Sequence, residues 1–514
     1  MSVKRRVVRF RGGMIKRSEV EKRKKIELSV EAKDFGPISG GKITLKPLTI
    51  FIGPNNSGKS YAAMLIHSIF ESYTPSALPK AVPPFFRSGF LDIPEAHKFL
   101  SQELSTLTAQ INSLEVGEEL EIPNSIVKKV TNKIFVELYE KRLGEEIIRS
   151  YASPLSELTR IGKKSFALKI NPNSYGVHLT CQGDKLKIEE HPESDIKIKV
   201  KKSIEVEVID VKKEKEKEYL VQIGREFRER EREILLYILT DSIFEICASN
   251  LIENMAMPCY YLPAARSGIL QGHKALAASI VKKSPYVGIE RLEIPRFSGV
   301  VSDFISSIIS LPGEKGPFYP LAEEFEKELI KGEIVVRTLD EYVYPEIKYS
   351  FHNTEIPLHR ASSTVSELAP LFLYLKYTVE PGSVLIIEEP EAHLHPGNQR
   401  ILAKFLVKLV RGGVNIIITT HSEYLLDQLS SFIMLSRVEP KKRVEKYGYN
   451  EEDFLKHDEV AAYVFNYDKR SRGNKITEVE ITEEDGISQD EFSKIIDTLY
   501  EETIRLRRDL RGDT

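Results

Sequence analysis

The stretch Leu48–Ile66 reads LTIFIGPNNSGKSYAAMLI, and its middle eight residues, Gly53–Ser60, follow the pattern GxxxxGK[ST]. An apolar strand run precedes them, and Ala62, Leu65, Ile66 and Ile69 recur at helical spacing after them, so a helix packs its apolar face back on a sheet. Strand, glycine-bearing loop and helix form a phosphate cradle. The glycines let successive backbone N–H groups turn inward, at the positive end of the helix dipole. Gly53, Pro54, Asn55, Asn56, Ser57, Gly58, Lys59 and Ser60 are therefore the candidate nucleotide-binding residues. Lys59 reaches the β and γ oxygens and Ser60 takes Mg²⁺.

Further along, VLIIEEPEAHLHP (Val384–Pro396) carries a buried strand to two carboxylates at its C-terminal end, the edge where open α/β sheets bind ligands. Adjacent side chains there point apart, so Glu388 serves the metal and Glu389 faces an attacking water as general base. His421, in IIITTHSEY, follows the next buried strand, where an imidazole can sense a γ-phosphate. An alternative grouping of Glu388, Glu389, His393, His395 and His421 as a catalytic metal cluster lacks an i, i+4 histidine pair. In ASSTVSELAPL (Ala361–Leu371), Thr364 and Glu367 read as a capping box, with Ser362 and Ser363 just before a helix N-terminus. Such an end either binds phosphate or is simply a well-made cap.

The rest of the chain bounds the setting. Its 514 residues suggest two to four structural units, and a net charge of −2 with 29% charged residues identifies no partner. No apolar run approaches the roughly 18 residues of a membrane span. Cys181, Cys247 and Cys259 form neither a CxxC pair nor a metal spacing, which predicts reduced thiols in a soluble cytoplasmic protein. Residues 1–24 form a basic tail, read as mobile, as a nucleic-acid contact or as an upstream extension if translation begins at Met14. Residues 25–75 are the N-terminal part of the nucleotide domain, 76–255 an insertion and 256–514 its C-terminal part. Within the insertion, Leu100, Leu104, Leu107, Ile111 and Leu114 predict one packed helix. Phe166–Val208 alternates as an antiparallel meander, and a long helix spans about Arg225–Asn254. ITEVEIT (Ile476–Thr482) predicts a strand, and Phe492, Ile495, Ile496, Leu499 and Tyr500 stripe a last helix.

Taken together, these motifs resemble an ABC-type ATPase of the group that holds SMC, RecF and overcoming-lysogenization-defect (OLD) proteins. GPNNSGKS resembles Walker A, VLIIEE Walker B, PEAHLHP the D-loop and TTHS the switch-histidine loop, in the order found there. YYLPAARSG (Tyr260–Gly268) looks like a block of related stand-alone AAA-type ATPases. The resemblance implies an α/β fold, a P-loop NTPase head with mixed sheets flanked by helices and interrupted by a helical and antiparallel β insertion. It implies ATP and Mg²⁺ as cofactors, Ser60 and Glu388 as metal ligands, and Lys59, Glu389 and His421 as catalytic residues. It also implies a homodimer in which Ser362, Ser363 and Ser366 of one copy meet the ATP of the other. The chain departs from the group with Glu388 where aspartate is usual and with no paired glycines in ASSTVSEL; Gln271 is the candidate for a Q-loop. Two functions follow. One is DNA maintenance or defence against mobile elements, with basic tails contacting double-stranded DNA and any nuclease encoded separately, since no Toprim-like acidic cluster follows His421. The other is an ATP-gated module that acts on an effector or toxin protein without DNA.

Overall fold

The computed structural model describes residues 26, 28–73, 94–172, 176–191, 195–203, 209–215, 218–223, 232–252, 255, 257–272, 297–311, 313–337, 346–352, 354–488, 502–503 and 505–506. The basic tail, Tyr175, the alternating Ile204, Val206 and Val208, and the helix expected over 492–500 lie outside them. The chain divides into two compact units. Among the described residues, one holds those within Ser68–Ile147 and Ile170–Pro258; the other holds those within Lys25–His67, Ile148–Lys169 and Cys259–Thr514. The segment Ile148–Lys169 thus returns to the second unit from within the stretch 76–255.

The second unit is organised by a mixed sheet. Its strands include β1 (Leu28–Phe35), β2 (Ile38–Thr44), β3 (Leu48–Ile52), β4 (Cys259–Leu262), β5 (Val384–Glu388), β6 (Asn415–Thr420), β7 (Val460–Asp468) and β8 (Gly473–Glu478). They lie in the order β4-β5-β6-β3-β7-β8-β2-β1. From β4 to β7 all neighbours are parallel, while β1 with β2 and β7 with β8 are antiparallel. The composition explains the division. Strands β3, β4, β5 and β6 are buried at every residue, as parallel strands covered on both faces must be, whereas β1 alternates buried and partly exposed positions.

Helix α1 (Lys59–Ser72) follows β3, and α2 (Ser363–Tyr377), α3 (Pro396–Arg411) and α4 (Glu423–Met434) frame β5 and β6 in the chain. One cluster joins Leu48, Ile50 and Ile52 of β3, Leu385 and Ile387 of β5, and Ile416 and Ile418 of β6 with Phe372, Phe405, Leu406 and Leu429. Each such side chain contributes about 1.5–3 kcal/mol on burial. The intervening Phe51 points to the other face, where its ring centroid lies 5.3 Å from that of Phe465 and 6.3 Å from that of Tyr463.

In the first unit, helix Pro94–Ser113 buries Leu100, Leu104 and Ile111 along one stripe and packs on helices Asn124–Phe135 and Arg232–Ile252. The long helix is described over Arg232–Ile252; the rest of the span expected near 225–254 lies outside the described residues. The meander expected over Phe166–Val208 does not extend to Lys197–Lys202. Val177–Gln182 and Lys185–Glu190 form a hairpin, but Lys197–Lys202 joins a separate four-stranded sheet between Glu119–Glu121 and Glu218–Ile223. Alternation sets which face of a strand is buried; it does not choose the partner strand. ITEVEIT is likewise divided: β8 ends at Glu478, and Ile481–Thr482 pairs instead with Gly486–Ile487.

No helix among the described residues is long and apolar enough to cross a membrane. The three cysteines are buried and unpaired as disulfides, and burial pushes the Cys181 and Cys247 thiols up to about 12.

Candidate nucleotide-binding and hydrolysis site

Because β5, β6 and β3 run parallel side by side, the segments that leave their C-terminal ends open at one edge of the sheet. These are the loop from Gly53, the loop from Glu389 and the turn at His421. Sequence positions hundreds of residues apart meet there.

The first loop needs its glycines for two physical reasons. Gly53 has φ +146°, and a Cβ on it would stand 2.6 Å from the Phe465 carbonyl oxygen; Gly58 has φ +102° with Pro37 Cγ 3.0 Å from its Cβ position. Asn56 is left-handed at φ 61°, and its carbonyl accepts from Asn474 Nδ2 at 3.4 Å. Lys59 donates from Nζ to the Gly53 and Pro54 carbonyls at 2.9 and 2.8 Å. Burial pushes its ammonium down to about 8, against the opposing pull of Glu389, Glu388 and Glu391. Ser57 Oγ is buried without a hydrogen-bond partner among the described residues, while Ser60 is exposed in the first turn of α1.

The two acids differ sharply in environment. Glu388, the last residue of β5, is 8% exposed; its Oε2 accepts the Ala264 N–H at 3.1 Å. Its Oε1 is buried without a hydrogen-bond donor among the described residues, and the carboxylate lies near the Tyr261 side chain. Glu389 has φ 44°, a conformation that costs of order 1–3 kcal/mol in a residue with a side chain and is concentrated at functional sites. Its N–H donates to the Thr419 carbonyl at 3.0 Å and to Thr419 Oγ1 at 3.2 Å, which holds the kink. The kink turns its carboxylate outward, with Oε1 3.7 Å from His421 Nε2. Burial and then Lys59 hold the His421 imidazole below its ordinary pKa, against Glu389, so the ring is mainly neutral at pH 7.

Divalent Mg²⁺ takes oxygen ligands and usually keeps only one or two from protein beside phosphate and water. The exposed Ser60 hydroxyl and the orphaned Glu388 Oε1 suit that donor set. Among the described residues no group of three His, Cys, Asp or Glu gathers to cage a metal. His395 instead caps α3, its Nδ1 accepting from the Gly397 N–H at 3.2 Å, so the histidine-cluster alternative is not supported.

The segment before α2 differs from expectation. Ser362, not Thr364, is the N-cap, its side chain accepting from the Val365 N–H at 3.4 Å. Thr364 lies inside the helix and donates from Oγ1 to the His393 carbonyl at 2.9 Å. Glu367 cannot close a capping box because its carboxylate faces Ser267 and the buried Arg266. Ser362 and Ser363 are exposed at the helix end, whereas Ser366 is buried and donates to the Leu358 carbonyl at 3.0 Å. Gln271 is exposed on the helical stretch after Arg266.

Of the residues that hold this geometry, sequence reasoning singled out Arg266, as a site arginine or rather a buried structural one, and missed Glu391 and Thr419. Arg266 is 1% exposed: Nε donates to the Glu367 carbonyl at 2.7 Å, Nη1 to Glu388 O at 2.8 Å and Pro263 O at 3.2 Å, and Nη2 to Glu389 O at 3.4 Å. It fixes the end of β5 to the start of α2. Glu391 and Thr419 complete the frame; nothing in EEPE beyond a third acid marks Glu391 in the sequence.

A family model described as an AAA ATPase domain matches residues 26–426. No curated protein matches the sequence. Among solved structures, an SMC head bound to the C-winged helix domain of ScpA is 12% identical over 88% of this chain and 97% of its own, with a TM-score of 0.37. The SMC head domain from Thermotoga maritima is 10% identical over 89% and 100%, with a TM-score of 0.32. An Smc head with an extended coiled coil, bound to the C-terminal domain of ScpA and derived from Pyrococcus furiosus, is 13% identical over 93% and 98%, at 0.35. These likenesses are distant; the family match spans most of the chain and includes Lys59, Glu388, Glu389 and His421. The chain belongs to the AAA ATPase domain family and is an ATPase.

Proposed function

We propose that the chain hydrolyses Mg²⁺-bound ATP at this sheet edge, that two copies close around the nucleotide, and that the cycle serves DNA maintenance or defence against mobile elements. The observation that carries the reading is the approach of Glu389 Oε1 to His421 Nε2, with the Lys59 ammonium close enough to shift the imidazole. Backbone N–H groups of the Gly53–Ser60 loop and Lys59 hold the phosphates. Ser60 and Glu388 would hold Mg²⁺, which supplies charge neutralisation at the β and γ oxygens. Glu389 accepts a proton from water as the water oxygen bonds to the γ-phosphorus and the bond to the ADP oxygen breaks. Neutral His421 donates to the γ-phosphate oxygens. Ser362 and Ser363, exposed at the N-terminus of the 15-residue helix α2, offer hydroxyls and end N–H groups to the γ-phosphate of a second copy. Ser366, being buried, supports that end from below.

The mass of Glu389→Gln measured by light scattering with and without ATP, together with wild-type turnover with and without linear double-stranded DNA, tests the proposal. A doubling of mass with ATP and faster turnover with DNA are expected. A monomer at saturating ATP rejects the closed dimer, and turnover indifferent to DNA transfers the reading to an ATPase that acts on a protein partner.

A further inference from the structure

Glu391 lies two residues beyond Glu389 and has no part in the chemistry above. Its Oε1 accepts two hydrogen bonds from the turn after β6: the Thr420 hydroxyl at 2.6 Å and the His421 N–H at 2.9 Å. Thr420 Oγ1 in turn accepts the Ser422 N–H at 2.9 Å. One carboxylate oxygen thereby fixes the backbone at the imidazole itself. A second tie joins the same two segments, because the Ser422 hydroxyl donates to Gln399 Oε1 while Gln399 Nε2 donates to the Leu394 carbonyl at 3.2 Å. The Thr364 hydroxyl binds the His393 carbonyl, so the start of α2 is attached to that loop as well. The loop that carries the proposed base is thus hydrogen-bonded both to the exposed helix end and to the histidine segment.

We propose that Glu391 is a positioning residue: it holds His421 against Glu389 and passes displacement of the loop from Glu389 to His395 on to the imidazole. This rests on the reading of His421 as the γ-phosphate contact. A hydrogen bond to a charged acceptor is strong, and losing two of them displaces the ring without touching the phosphate cradle.

The test is steady-state ATP turnover of Glu391→Ala, Glu391→Gln, His421→Ala and the double variant Glu391→Ala/His421→Ala. Glu391→Ala is expected to lower kcat roughly ten- to a hundred-fold, the worth of hydrogen bonds to a charged group, with KM within about three-fold of wild type. Glu391→Gln keeps a carbonyl oxygen able to accept both bonds and recovers most of the turnover. The double variant turns over no more slowly than His421→Ala alone, as two changes in one path require. Should Glu391→Ala fail to fold, Thr420→Val removes one of the two donors; it is expected to give a smaller loss that likewise vanishes in the His421→Ala background. A further roughly ten-fold loss on adding Glu391→Ala to His421→Ala, or wild-type turnover by Glu391→Ala, overturns the positioning role while leaving that of His421 intact. Wild-type turnover by His421→Ala overturns both.

Discussion

Arg266→Ala removes a cation that four carbonyl oxygens and the Glu367 carboxylate surround in the interior. It leaves Glu367, 4% exposed, as a buried carboxylate whose remaining side-chain partner is the Ser267 hydroxyl. Stranding one member of a buried pair costs about 3–5 kcal/mol, a third or more of the stability of many domains. The unit that contains the pair has roughly 320 residues, and an unfolding entropy near 2.1 cal/mol/K per residue gives about 670 cal/mol/K. The loss then lowers Tm by about 4–7 °C. Thermal unfolding followed by circular dichroism at pH 7 reads this directly. Arg266→Met/Glu367→Gln, which removes both charges at similar volume, is expected to recover most of the loss, because the penalty lies in the unpaired carboxylate and not in the missing attraction. The Arg266→Ala protein is also expected to turn over ATP more slowly, since the carbonyls of Glu388 and Glu389 lose their anchor. Unfolding of Arg266→Ala within about 1 °C of wild type, or a double variant as unstable as the single, refutes the reasoning.

Gly53→Ala places a Cβ 2.6 Å from the Phe465 carbonyl at φ +146°, so ATP binding, measured by equilibrium titration, is expected to be lost while far-ultraviolet circular dichroism stays near wild type. The nucleotide-free Lys59 ammonium, lowered by burial to about 8, is charged below that pH and neutral above it. ATP affinity is therefore expected to fall as pH rises from 7.5 to 9.5, approaching about ten-fold for each unit beyond the midpoint; Lys59→Met should abolish the slope, and an unchanged slope in that variant contradicts the assignment.

The parts legible in the sequence were those whose chemistry is local. LTIFI, VLIIE and NIIITT are apolar without interruption because strands covered on both faces must be, and GPNNSGKS carries its own backbone requirement in Gly53 and Gly58. Partner choice was not legible. Lys197–Lys202 has the alternation of a meander strand yet pairs with Glu119–Glu121, since periodicity encodes a face and no neighbour. The cap was misplaced for a related reason: T-x-x-E satisfies the capping pattern, but a buried arginine at position 266, about a hundred residues away, claims the glutamate. Glu391 was invisible as anything but a loop acid because its partners, Thr420 and the His421 N–H, arrive from the next strand.

The claim that this sheet edge is a hydrolytic site with Glu389 as its base is tested most directly by ATP turnover of Glu389→Gln beside wild type, with binding of a non-hydrolysable ATP analogue measured on both. Turnover is expected to fall by roughly a hundred-fold or more, the contribution of a positioned base, with analogue affinity kept. Hydrolysis by Glu389→Gln at the wild-type rate would contradict it.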